Sequence, residues 1–236
     1  MSCFDRKARG LMSAPISVVI PTLNSAKGLP ATLLSLMEGL DAGLICEVVV
    51  SDGGSMDASC PIATAWGAEI VIGAASRGVQ LRRGVAVTRG AWVMVLHADT
   101  ILQEGWAEQV KACMQKGPLC FSLAFRAKGF AARWVAAWAN LRSDLFGLPY
   151  GDQGLLLRRS DYERAGGYPD QPLMEDVALV RALKLKIHRL PAYAFTRADK
   201  YKKQGWLRRG AKNLGLLLRY FLGANPEDLA RRYQKP

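Results

Sequence analysis

Cys46-Glu-Val-Val-Val-Ser-Asp-Gly-Gly-Ser55 decides the fold class. A short β-branched run reads as a buried strand. It stops at a carboxylate, Asp52, followed by two glycines that let the backbone approach a ligand closely. The same layout stands on both sides. Upstream, Ile16-Ser-Val-Val-Ile20 runs into Pro21-Thr-Leu-Asn24. Downstream, Glu69-Ile-Val-Ile72 is a third strand, and Ala91-Trp-Val-Met-Val-Leu96 a fourth that ends in His97-Ala-Asp-Thr100. Between them, Leu29, Leu33, Leu36, Met37 and Leu40 recur at helical spacing over 26–40, with Pro30 early, where a helix tolerates it. Asp57 is placed to cap a helix running to Trp66, and 78–88 and 105–114 read as further helices. Strand alternating with helix predicts βαβ units and an α/β fold with a mostly parallel central sheet flanked by helices. The second half is less regular: strands at 119–125 and 154–157, and helices at 130–146, 175–185 and 205–222. No internal repeat or low-complexity tract interrupts it.

The 236 residues are half hydrophobic and 22% charged, a globular composition of one-domain size. No apolar stretch approaches the roughly 18–20 residues of a spanning helix. The start, MSCFDRKARG, lacks an apolar leader, so cytoplasmic residence is expected. Five cysteines with no CxxC pair read as reduced thiols, and two histidines make a His-rich zinc site a poor fit. The net charge of +12 is unevenly placed: residues 200–236 hold ten Lys or Arg against Glu227 and Asp228. The division expected is a flexible 1–14, a catalytic domain over 15–200, and a basic helical segment over 201–236 that packs on the domain or on a membrane. Aromatic, Leu and Arg residues share helical spacing in Phe130–Trp138 and Trp206–Leu222; the pattern fits helices lying in a membrane interface, although the first reads equally as core packing.

In open α/β sheets, ligands sit beyond the carboxyl ends of the strands. Thr22, Asn24, Asp52 and Asp99 all fall there. Carboxylates at that edge suit a hard divalent cation and a phosphate-bearing ligand.

Taken in order, Ile20-Pro-Thr-Leu-Asn24, Val50-Ser-Asp-Gly-Gly-Ser-Met-Asp57 and Leu96-His-Ala-Asp-Thr100 resemble the family 2 glycosyltransferases, which have a GT-A fold. Arg77-Gly-Val-Gln80, Gly147-Leu-Pro-Tyr-Gly-Asp-Gln-Gly154, Gly166-Gly-Tyr-Pro169 and Pro172-Leu-Met-Glu-Asp176 resemble a small bacterial subgroup associated with radical-SAM and selenodomain proteins. The resemblance covers roughly 15–233 and implies an inverting transfer from a nucleotide-diphosphate sugar, with a bias toward UDP. It assigns Pro21, Thr22, Asn24, Asp52 and Gly53 to the nucleotide, Asp52 meeting the base. Ser25 stands where many relatives carry Glu. Arg77 would lie near the phosphates. Gln80, one turn on, reads equally as a helix-surface residue.

His97-Ala98-Asp99 resembles the family's Asp-x-Asp metal signature with its first acid replaced. Asp99 would then be the protein ligand to Mn²⁺ or Mg²⁺, since one carboxylate with two phosphates can suffice. His97 is a second contact or a packing residue. Asp176 matches the catalytic base, and Glu175 would orient it or touch the acceptor. Asp152 and Gln153 belong to a loop beside the donor sugar and acceptor, where Asp152 reads equally as a turn residue. Arg197, Lys200 and Tyr201 fall where relatives close over the diphosphate, although the family's signature there is only partly kept. The expected partners are the donor, an unidentified and possibly lipid-linked acceptor, and an anionic membrane at the inner face. Nucleic acid is not expected, although a basic nucleic-acid-binding module and a nucleotidyltransferase stand as alternatives.

Overall fold

In the computed structural model, which describes residues 14–234, the first four predicted strands are neighbours. β1 (Ile16–Thr22) lies between β2 (Ile45–Asp52) and β4 (Trp92–Val95), and β2 pairs with β3 (Glu69–Ile72), all parallel. Parallel neighbours need long crossovers. These are supplied by α1 (Leu29–Asp41), α2 (Ser59–Ala65) and α3 (Arg77–Val87). β1 is covered on both faces. Ile16, Val18 and Ile20 enter one core with Leu33, Leu36 and Trp106, while Val19 enters another with Leu81 and Val85. This is why the strand reads as a continuous apolar run rather than an alternating one. Asp57 is not the N-cap of α2. It stands one residue earlier, accepts from Ser59 N at 3.0 Å, and ties the helix to the first loop through Ala26 N at 2.9 Å.

The chain continues through β5 (Ile101–Leu102), α4 (Trp106–Cys113), β6 (Leu119–Phe125), α5 (Phe130–Phe146), β7 (Leu155–Arg158), α6 (Arg159–Arg164), α7 (Glu175–Leu183) and β8 (His188–Thr196). The sheet order is β3-β2-β1-β4-β7-β6-β8-β5. Four of the seven strand pairings among the described residues are parallel; β7 runs against β4 and β6, and β5 against β8. β5 and β8 were not expected from sequence. In β8 the buried residues Leu190, Ala192, Ala194 and Thr196 alternate with exposed or half-exposed ones, and Pro191 falls within the strand. That strand nonetheless pairs along β6 from Leu119 to Phe125.

Three helices close the described chain: α8 (Asp199–Gln204), α9 (Trp206–Phe221) and α10 (Pro226–Gln234). α9 buries Leu216 and Leu217, and Leu217 joins the core shared by α3 and α7. The basic segment therefore packs against the domain. No helix among the described residues is long and apolar enough to cross a membrane. The expected flexible start lies outside the described residues except for Ala14, as do the last two residues.

Candidate active site

The sheet sets two neighbouring clusters at its carboxyl edge. The first joins β1 to β2. Asp52 is 1% exposed, and both its oxygens are occupied by the chain. Oδ2 accepts from Thr22 Oγ1 at 2.7 Å and Ser55 Oγ at 2.6 Å; Oδ1 accepts from the backbone N–H of Gly54 at 2.8 Å and Ser55 at 2.6 Å. Burial works against ionisation here, but the donors from Ser55, Thr22 and Gly54 outweigh it and hold the carboxyl below its ordinary range. Asn24 adopts a left-handed backbone, φ 50°, which Asn tolerates better than most residues. Its Oδ1 accepts from Met56 N at 3.0 Å, so the two loops are stitched together. Gln80 is buried, with Nε2 donating to the carbonyls of Thr22 at 2.8 Å and Ser51 at 3.0 Å. It fastens the strand ends rather than lying on the helix surface. Gly53 packs against that amide.

The second cluster lines a cleft of about 340 Å³, a size typical of ligand pockets. It gathers Arg77, His97, Asp99, Asp152, Glu175 and Asp176, then Arg197 and Tyr201. Met174 at φ 65° turns the chain into α7, so Glu175 and Asp176 occupy its first turn, where the helix dipole favours negative charge. Asp176 Oδ2 accepts from Gly151 N at 2.9 Å. A side chain on Gly151 would stand 2.5 Å from both Asp176 Oδ2 and His97 Nε2. Only glycine lets the 151–153 turn bring the end of β4 this close to the start of α7.

The carboxylates here are perturbed. Burial raises Glu175, which is 2% exposed, and the charge of Asp176 adds to this while Arg77 opposes it. Arg77 Nε stands 3.6 Å from Glu175 Oε1. Burial also raises Asp176, against Arg77 and the Gly151 N–H. Asp152 is pushed up to about 6, chiefly by burial, and its Oδ1 is a buried atom without a hydrogen bond. Such an orphan acceptor beside a cleft is a place for a ligand hydroxyl.

Asp99 and His97 stand at the end of β4 as the chain turns, with Thr100 N donating to His97 O at 3.1 Å. Among the described residues no group of three His, Cys, Asp or Glu side chains is placed to hold a metal. Asp99 and His97 border the same cleft as Glu175 and Asp176. Ala98 is 7% exposed and packs with the core, its carbonyl pressed against Gly28.

One expected contact lies elsewhere. Gln153 is fully buried and faces the interior: its amide donates to Phe121 O at 3.2 Å and its Oε1 accepts from Ser143 Oγ at 2.7 Å. The side chain of Lys200 lies outside the described residues.

The cleft also holds residues that sequence reasoning missed. Arg209 of α9 is 2% exposed, donates to Gln204 Oε1 at 3.0 Å and lies over the Tyr233 ring at 4.2 Å. Tyr150 lies under Arg142 at 3.6 Å, and Asn213 donates to Tyr201, an expected cleft residue, at 3.1 Å. The basic residues of α9 stood out in the sequence, but nothing there showed which of them turns inward.

Comparison with known proteins shows the family and the fold. The profile of Glycosyl transferase family 2 matches residues 17–168. A PGL/p-HBAD biosynthesis glycosyltransferase of Mycobacterium tuberculosis is 38% identical over 101 residues, 39% of this chain and 39% of that protein. The match thus spans well under half of the relative. Among solved structures, S. aureus TarS 1-349 superposes with a TM-score of 0.59 at 15% identity, covering 93% of this chain and 70% of that one. Glucosyl-3-phosphoglycerate synthase from Mycobacterium tuberculosis, in complex with Mn²⁺, UDP and glucosyl-3-phosphoglycerate, gives 0.56 at 20% identity, covering 85% and 78%. At these identities the structures establish a shared fold.

Proposed function

Because the chain belongs to glycosyltransferase family 2, we propose that its cleft transfers a sugar from a nucleotide-diphosphate donor, a UDP-sugar, to an acceptor hydroxyl with inversion. The observation that carries this reading is Asp176: a buried carboxylate, raised in pKa, held by Gly151 N–H beside His97 on the wall of a cleft that also holds Arg77. A general base needs this combination of fixed position and raised basicity.

In this reading Asp176 accepts the proton of the acceptor hydroxyl as its oxygen attacks the anomeric carbon. The bond to the diphosphate breaks on the opposite face. Arg77 and Arg197 meet the charge that develops on the leaving group. Glu175 positions Arg77 through the 3.6 Å contact of Arg77 Nε with its Oε1. Asp152, with its orphan Oδ1, takes a hydroxyl of the donor sugar or the acceptor. Asp52 acts through the loop it organises, since each of its oxygens already accepts two hydrogen bonds; Pro21, Thr22, Asn24 and Gly53 form the nucleotide edge with it. Asp99, with His97 beside it, would hold Mn²⁺ or Mg²⁺, which supplies Lewis-acid neutralisation of the diphosphate. Structural neighbours carry Mn²⁺ with UDP or hold UDP-GlcNAc, which supports this donor class.

The test is a thermal-shift panel of nucleoside diphosphates and nucleotide sugars with and without Mn²⁺, followed by nucleotide release with the donor it selects. Asp176→Asn is expected to lower kcat by about 10²–10⁴-fold with nucleotide affinity kept. Asp99→Ala is expected to abolish the Mn²⁺-dependent part of nucleotide binding. Metal-independent turnover unaffected by either change would overturn the mechanism.

A further inference from the structure

Two helices leave apolar stripes in solvent. On α5 the exposed residues Phe130, Trp134, Trp138, Leu141 and Leu145 recur every three or four positions, while Ala132, Val135, Ala136 and Ala139 on the other face are buried. On α9 the exposed residues are Leu207, Leu214, Leu218, Phe221 and the adjoining Leu222. Trp134 and Leu218 are 51% and 54% exposed, so neither is a core residue. The stripes meet. Trp138 and Leu214 line one narrow groove between the helices, of about 60 Å³, whose inner end is Tyr150, Asp152 and Tyr201. Those three residues also line the catalytic cleft.

The charge beside the α9 stripe is basic, while on α5 the acid Asp144 is paired with Arg189 at 2.7 Å. Arg208, Lys212 and Arg219 follow each other at helical spacing along one flank of the α9 stripe. Lys202 and Lys203 before it, and Arg231 and Arg232 after it, are exposed. Between 200 and 234 the only acids are Glu227 and Asp228, and Asp228 is paired with Arg231 at 2.9 Å.

From this surface we infer that α5 and α9 dock the protein on an anionic lipid bilayer. Indole, phenyl and leucyl side chains on a helix face, flanked by Lys and Arg, match a surface that enters the headgroup boundary while its cations meet lipid phosphates. A second copy of the chain fits less well. Two such faces would bring like basic flanks together in a protein already at +12. The surface lies outside the catalytic residues, so docking and sugar transfer can be tested separately.

The test is flotation of the full chain with vesicles of phosphatidylcholine containing about one third phosphatidylglycerol, against pure phosphatidylcholine, at low and at high salt. The expected result is at least tenfold tighter binding to the anionic vesicles, weakened by salt as screening shortens the reach of the Arg and Lys charges. The double variant Trp134→Glu/Leu218→Glu should lose at least tenfold, with thermal melt and UDP affinity unchanged. Arg208→Glu/Arg219→Glu should lose the anionic preference. The inference is overturned if the wild-type protein does not float, or if it binds both vesicles equally and the apolar variant binds as well as wild type. It is also overturned if wild type self-associates through this face and the variant merely disperses it. If UDP does not bind but the vesicle results hold, the transferase reading fails and the docking surface stands.

Discussion

Gly151→Ala displaces Asp176 and, at the same distance, presses on His97. Position 151 is not among the left-handed glycines, so the backbone accepts alanine. The added methyl, however, would stand 2.5 Å from Asp176 Oδ2 and 2.5 Å from His97 Nε2. Ordinary contact lies near 3.5 Å, so the carboxylate must retreat by about 1 Å. A displacement of this size in a reacting group costs about 10²-fold in rate, or about 2.7 kcal/mol of activation free energy. The effect on folding should be smaller. Crowding costs about 1–3 kcal/mol, and the lost freedom of the unfolded chain returns about 0.4–1 kcal/mol. The assay is nucleotide release at saturating donor, with UDP affinity measured in parallel. The expected outcome is a kcat lowered about 10²-fold at nearly unchanged UDP affinity. In Gly151→Ala combined with Asp176→Asn, the loss should scarcely exceed that of Asp176→Asn alone, because both act on one group. A kcat within twofold of wild type in Gly151→Ala would refute the assignment of Asp176 as base.

Glu175→Gln tests the buried acid pair by stability. Burial keeps Glu175 protonated in the folded chain at pH values where the unfolded chain has ionised it. The folded state therefore binds more protons, and stability falls as pH rises from the ordinary glutamate value until the folded group ionises, then levels off. Between pH 6 and 9 the melting temperature of wild type should fall more steeply than that of Glu175→Gln; parallel profiles would contradict the buried pair. The raised Asp176 has its own signature: the acid limb of kcat/KM should lie above the ordinary aspartate value of 3.8, and a limb at or below that value would count against it as base. Gly78→Ala addresses the joint between α3 and the loop before α7, where Gly78 N donates to Gln171 O at 3.2 Å and a side chain would collide with Pro169 O. Overpacking against backbone should cost about 1–3 kcal/mol, read by denaturant melts, and lower activity by moving Arg77 relative to Glu175. A variant as stable and active as wild type would show that the joint has slack.

β1 and β4 were legible because both faces of each are covered and the strand must be apolar throughout. β8 was not, because its pattern alternates and carries Pro191 within it. The site was half legible for a related reason. Motifs at strand ends announce that a loop reaches the ligand edge, but not which side chain of the loop faces out. In the 151–153 turn, Asp152 borders the cleft while Gln153, one residue on, is sealed in the interior. Successive residues of so tight a turn point about a third of a revolution apart, and composition does not record which of them faces the ligand. Gln80 shows the converse: a polar helix residue that reads as surface is buried because the ends of β1 and β2 leave carbonyls that need a donor.

The same limit applies to the charge, and the structure divides it. A run of ten cations against two acids reads as one basic surface. Yet on α9 Arg209 turns inward to the cleft, stacked under Tyr233 and bonded to Gln204, while its neighbour Arg208 faces solvent. A helix rotates its side chains by about 100° per residue, so adjacent arginines serve different partners. One is fixed on the cleft wall, at little risk of screening; the other can act only at the surface, where salt weakens it. The segment after residue 200 therefore has two distinct sides. It lines the cleft on its inner side and, on its outer side, carries the amphipathic surface we propose for the bilayer.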